Sequence, residues 1–244
     1  MISIKGFGNW FGLIVSLTIM MGFGSAPIAL AATAEADQVC DPAADYFLGA
    51  EDYPEAARLH RILVKQHPGD ALAHYHLGFA EGMMGDQADE TDQYQTAVRL
   101  GLKDWGLYLN LGRVYLEKGE FAPATEAFKQ AVTLGPNHPE AHFNLGLAYE
   151  RRGMLASAAS ELTQSLALDP SQTDGRNMLA VVNAEQGNYP EAQAIWSGLV
   201  RSQPSFTTAR VNLAILDETL KKHGSGALAL TPGSLESAFA SKPQ

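Results

Sequence analysis

Seven histidines and several clustered carboxylates are the side chains of this sequence with the most obvious chemistry. His74 and His76 stand one residue apart, with His60 and His67 shortly before them, a spacing that invites a metal reading. Side chains two apart on a helix point in roughly opposite directions, so this pair cannot grip one ion from one helix. His74 and His142 also fall at a position that Tyr108 fills in another part of the chain, which makes them packing residues. Asp86, Asp89, Glu90 and Asp92 suggest a cation site at first glance. They lack the alternating oxygen ligands and central glycine of a calcium loop, and carboxylates at a helix start favour the macrodipole without any ion. No phosphate-binding loop, nucleophile elbow or metalloprotease helix motif occurs. The expectation is a protein that is not an enzyme, with no catalytic residue, no cofactor and no metal.

The elements that carry these side chains repeat. Leu77-Gly78, Leu111-Gly112, Leu145-Gly146, Leu179-Ala180 and Leu213-Ala214 recur every 34 residues, as do Gly85, Gly119, Gly153 and Gly187. Ala56, Ala124, Ala158 and Ala192 keep the same phase, and Pro68, Pro136, Pro170 and Pro204 close the units. A shared period of this length marks a repeat array. Within 105–138, Leu107, Tyr108, Leu111, Val114 and Tyr115 recur at helical spacing, Lys118-Gly119-Glu120 breaks the pattern, and Ala124, Ala127, Phe128, Ala131 and Val132 resume it. Each unit therefore reads as two amphipathic helices joined by a turn in which Gly119 supplies the left-handed conformation. Gly112 and Ala124 allow the two helices to approach, and Leu111, Tyr115 and Phe128 fill the seam.

These residues resemble the tetratricopeptide repeat family, in Leu145-Gly146, Tyr149, Gly153, Ala158 and Asp169-Pro170 and again in Gly187-Asn188-Tyr189-Pro190-Glu191-Ala192 with Trp196. The resemblance implies an all-α, right-handed superhelical solenoid of antiparallel helix pairs, with units at 37–70, 71–104, 105–138, 139–172 and 173–206. The first unit departs from the pattern, with Ala43-Ala44 for Leu-Gly and Glu51 for the turn glycine, as a terminal repeat does. In the second, Glu90 replaces the close-packing alanine, Ala88 the turn aromatic and Leu102 the closing proline, which predicts looser packing or displacement of its second helix. Residues 206–222 form a capping helix through Val211, Leu213, Ile215, Leu216 and Leu220, and 223–244 reads as a flexible tail.

The first 34 residues differ in kind. Lys5 is their only charged side chain, an apolar stretch runs from Trp10 to Phe23, and Ala29-Leu30-Ala31 and Ala32-Thr33-Ala34 offer peptidase sites. This is a signal-peptide profile over 1–34 with cleavage after Ala31 or Ala34, an N-terminal anchor being the alternative. The expected product is exported to the periplasm or beyond, with no membrane span after cleavage. Cys40 is the single cysteine, so no intramolecular disulfide forms. A net charge of -10 with no basic run removes the electrostatic route to nucleic acid.

The resemblance further implies that the first helices line a concave face. The residues that point into it are Leu72, Tyr75, His76, Phe79 and Met83, then Leu109, Asn110, Arg113, Leu116 and Glu117. Later units add Phe143, Asn144, Leu147, Glu150 and Arg151, then Asn177, Met178, Val181 and Glu185. Apolar side chains interleaved with amides and arginines suit an extended or helical peptide. Family members that bind the acidic tails of cytosolic chaperones carry basic residues where this chain has Tyr75, Leu109 and Phe143, so that function is rejected. The expected role is a protein-interaction scaffold or assembly adaptor of the cell envelope. The alternatives are a self-assembling homo-oligomer and an accessory subunit of a periplasmic polysaccharide or secretion enzyme.

Overall fold

A computed structural model describes residues 41–223. The segment read as a signal peptide, Cys40 and residues 224–244 lie outside the described residues. Eleven α-helices and no strand occur among the described residues: α1 (Pro42–Gly49), α2 (Tyr53–Gln66), α3 (Ala71–Met83), α4 (Gln87–Arg99), α5 (Trp105–Glu117), α6 (Phe121–Leu134), α7 (Pro139–Arg151), α8 (Leu155–Leu168), α9 (Thr173–Glu185), α10 (Tyr189–Ser202) and α11 (Thr207–His223). Each helix packs mainly on its neighbours in sequence, so the fold is an all-α solenoid of helix pairs with α11 laid on α10. No helix among the described residues is long and apolar enough to cross a membrane.

The turn inside each pair is set by one left-handed residue. Gly85, Gly119, Gly153 and Gly187 take φ between 69° and 87°, and Glu51 holds the same place at 62°. The amide of Gly119 bonds to the Leu116 carbonyl and that of Glu120 to the Tyr115 carbonyl, the double bond that ends a helix in a Schellman turn. Glu51 and Asp52 repeat it through Leu48 and Phe47, so the first unit keeps the turn without the glycine.

Close packing across each pair follows the glycine ladder. A Cβ added at Gly112 would lie 2.6 Å from the Phe128 ring, and one at Gly146 2.8 Å from Leu162 Cγ. Ala180 of α9 and Trp196 of α10 take the corresponding places in the last pair, and both are fully buried. The largest core cluster joins Leu162, Met178, Trp196, Leu199 and Leu216 across α8 to α11.

The second unit departs as its sequence foretells, though at a different seam. Glu90 lies against Gly82, the carboxylate filling space that an alanine would leave, and α4 still packs firmly on α3. The sparse contact is the one between α4 and α5. Without a closing proline, α4 ends at Arg99 in an additional Schellman turn, with Gly101 at φ 92° and the Leu102 amide bonded to the Ala97 carbonyl. The helix is therefore a residue shorter than α2, α6, α8 and α10, and the linker to α5 is correspondingly longer.

Candidate protein-binding face

Along the stack α5 touches α7 and α7 touches α9, whereas the second helices α6, α8 and α10 approach one another less closely. A stack that is tighter on one side curves towards that side, so the first helices of units three to five share an inner face. Arg113 of α5 and Arg151 of α7 are exposed on these helices, and Asn110, Leu116, Phe143 and Asn144 are half-buried beside them.

The other residues assigned to the groove from sequence are placed differently. Leu109, Leu147 and Val181 are 6%, 4% and 2% exposed, and Asn177 is fully buried. They are corrected from ligand contacts to packing residues. The cause is the touching of neighbouring first helices: a short apolar chain at the ninth position, as in Leu147 and Val181, is covered by the adjacent helix, while the longer Arg113 at the same position reaches solvent. Asn177 accepts from Trp196 Nε1 at 2.9 Å and from Asn212 Nδ2 at 3.3 Å, so it ties α9 to α10 and α11.

Tyr75, His76 and Phe79 of α3 are also engaged within the chain. The Tyr75 hydroxyl accepts from Asn110 Nδ2 at 3.4 Å, its ring lies 5.8 Å from that of Tyr94, and burial pushes its phenol well above the usual range. Phe79 meets Tyr53 edge to face at 6.3 Å, and His76 Nδ1 is 3.1 Å from Asp45 Oδ1. Asn144 Nδ2 donates to the Glu140 carbonyl of its own helix at 2.9 Å, which leaves its side-chain oxygen to meet a ligand.

Charge on the inner face concentrates between α7 and α9. Glu150 is 5% exposed, and burial raises its carboxyl, opposed by Arg151, whose Nε is 3.5 Å away. Burial first and the Glu150 carboxylate second push Glu185 up to about 7. One oxygen of each carboxylate, Oε2, lacks a hydrogen-bond partner among the described residues. The two are thus neighbouring carboxyls, each with a buried oxygen, beside an arginine.

Two histidines do hold the units together. His74 Nδ1 lies 2.6 Å from Gln93 Oε1 and its Nε2 3.2 Å from the Pro68 carbonyl oxygen. His142 repeats the arrangement with Glu161 at 2.7 Å and the Pro136 carbonyl at 3.0 Å, and Arg176 donates to the Pro170 carbonyl at 2.9 Å. A residue at the fourth position of the first helix thus ties down the carbonyl of the preceding unit's closing proline.

Sequence reasoning missed one constellation. Asp45 of α1, His60 of α2 and His76 of α3 converge, each offering a ligand atom within 4.8 Å of the other two. No spacing motif announces it, because the three come from three helices. Two shallow apolar depressions lie elsewhere: about 390 Å³ between α9 and α10, beside Leu179, Ile195 and Leu199, and about 290 Å³ between α5 and α6, beside Tyr108 and Tyr115.

Ladder, turn and helix-pair geometry define a helical-repeat solenoid, the class to which comparisons with known proteins also point. The model of the cytochrome c-type biogenesis protein H TPR domain matches residues 87–205, and a tetratricopeptide repeat model matches 42–101. The chain belongs to the tetratricopeptide repeat family. No curated protein matches it at a significant level. Among solved structures it is similar to YrrB, described as a TPR protein with an unusual peptide-binding site, at 22% identity and TM-score 0.64 over 73% of this chain and 88% of that one. It is also similar to MamA from Desulfovibrio magneticus RS-1 at 19% identity and TM-score 0.62, over 67% of this chain and 93% of that one. A repeat protein from Parabacteroides merdae matches at 19% identity and TM-score 0.64, over 74% and 73% of the two chains. At these identities the likeness concerns the fold.

Proposed function

We propose that this chain is a non-enzymatic protein-interaction scaffold of the cell envelope. It seats a peptide segment or helix of a partner on the inner face of α5, α7 and α9. The observation that supports the reading is the direct contact of these three first helices, on which Arg113 and Arg151 are exposed and Phe143 and Asn144 half-buried. Amides and arginines can bond a peptide backbone or carboxylate, and half-buried Leu116 and Phe143 supply apolar area. The peptide-binding site named for YrrB and the assembly context named for the cytochrome c biogenesis domain support an adaptor role. The signal-peptide profile of residues 1–34 supports export.

The test is recovery of partners from envelope extracts on immobilised chain, comparing wild type with an Arg113→Ala, Phe143→Ala, Arg151→Ala variant. Loss of a stoichiometric partner from the variant, whose helicity is unchanged, is the expected result. Equal recovery on both removes the face from consideration. Tyr75 and Phe79 are poor targets, since replacing them disturbs the α3 contacts described above.

A further inference from the structure

We propose that Asp45, His60 and His76 form a binding site for a borderline divalent transition-metal ion, with Zn²⁺ as the reference ion, that clasps α1, α2 and α3 together. His60 of α2 is the centre of the cluster. Its side chain is 1% exposed, yet neither Nδ1 nor Nε2 has a hydrogen-bond partner among the described residues. A buried imidazole with both nitrogens unmatched is costly, since a lost partner for a buried polar group amounts to about 1–3 kcal/mol. What faces it is informative: His60 Nε2 lies 3.9 Å from Asp45 Oδ1, too far for a hydrogen bond, and the same oxygen is 3.1 Å from His76 Nδ1.

Those separations suit a shared ion. Ligand atoms held at about 2.0–2.1 Å in a tetrahedral shell stand about 3.3 Å apart. The observed ligand atoms all lie within 4.8 Å of one another, about an ångström beyond that spacing. The His60 and His76 rings stand close together, edge to face, with centroids 5.2 Å apart.

Donor chemistry selects the ion. Two imidazoles and one carboxylate match Zn²⁺ and its neighbours, not Ca²⁺ or Mg²⁺, which require oxygen ligands. Asp41, Asp45 and Asp70 all stand near enough to His60 for their charges to act on it. The same carboxylates make the surroundings attractive to a cation. Asp45 and His76 are 39% and 22% exposed, so the ion can enter from solvent and keep a fourth position for water.

The experiment uses the full chain without a histidine tag, stripped with chelator and titrated with Zn²⁺ by calorimetry, with thermal melts in parallel. One Zn²⁺ per chain at micromolar affinity or tighter, a rise in Tm, and no response to Mg²⁺ are expected. His76→Asn and Asp45→Asn lower the affinity at least tenfold, while His74→Asn, on the opposite side of α3, leaves it unchanged. His60→Leu fills the same space without unmatched nitrogens, so it keeps or raises the metal-free Tm and abolishes the response to Zn²⁺. Absence of stoichiometric binding by wild type overturns the proposal, and so does full binding by the well-folded His60→Leu variant.

Discussion

The stretches α1–α4 and α5–α11 are built from the same repeat by different means. In the first, polar groups occupy the interior: His60 and Glu81 are 1% exposed, Asp70 is 2% exposed, and Glu90 stands where the repeat places alanine. Its helices are held at their starts, with Asp41, Asp52 and Asp70 side chains accepting backbone amides of α1, α2 and α3. In the second, only α5 of the helices up to α10 has such a side-chain cap, from Asp104, and large apolar side chains, Phe128, Leu162, Met178, Trp196 and Leu216, fill the interior around buried Ser165, Asn177 and Asn212. The two meet at α4 and α5, whose backbones approach less closely than at other seams although Tyr94 and Ala97 pack with Leu107, Leu111 and Val114. The difference teaches that one repeat can rely on capped helix starts and smaller core residues, or on large apolar side chains with few caps. In the second, the backbones of the first helices α5, α7 and α9 approach one another closely.

The comparison breaks most readily at Trp196. Replacing this fully buried indole with alanine removes the centre of the α8–α11 cluster and leaves the Asn177 side chain with one bond fewer. The expected loss is about 3–5 kcal/mol in urea unfolding. A loss below 1 kcal/mol would mean that the second stretch does not rest on its apolar core.

A paired measurement at two glycines sharpens the contrast. Gly112→Leu drives a side chain into the Phe128 ring and is expected to cost about 1–3 kcal/mol. Gly82→Ala meets only the movable end of Glu90, while gaining up to about 1 kcal/mol of helix propensity, so its melting temperature should hold or rise. Equal losses at both positions contradict the distinction between apolar and polar fill.

Caps give a smaller effect of opposite signs. Asp104→Ala removes the bond to the Leu107 amide, 2.8 Å long, and should lower stability by about 1 kcal/mol. Met154→Asp places an acceptor at the uncapped start of α8 and should raise it by up to a similar amount. Chemical denaturation of the two variants beside wild type reads both signs.

The smallest signal is a slope with pH. Burial and Glu150 raise the folded carboxyl of Glu185 to about 7, above its unfolded value. Its contribution to stability is therefore complete below the unfolded carboxylate range and is lost as pH rises through about 7. Melts of wild type between pH 5 and 8 should fall more steeply than those of Glu185→Gln. Parallel curves would show that Glu185 is already solvated.

Much of the fold was legible because backbone requirements repeat in phase. Gly119 and Gly112 each answer one geometric demand, a left-handed turn or a close approach, and such demands leave the same residue type every 34 positions. The altered second unit was legible too, from Glu90 and Leu102, but not its location: the change lies between α4 and α5, whose backbones stand further apart and where Gly101 stops the helix early. The binding face was legible only in part. Repeat position tells which way a Cβ points, not whether the neighbouring helix covers it, so Leu147 and Arg113 share a position and differ in exposure. The Asp45, His60 and His76 cluster was illegible because its members belong to three helices and to no common period.

Native-state hydrogen exchange on the metal-free chain tests the division between the stretches most directly. The account predicts that amides of α1–α3 exchange through openings far less costly than those of α7–α10, with a change of protection between α4 and α5. Uniform protection from α1 to α10 would contradict it.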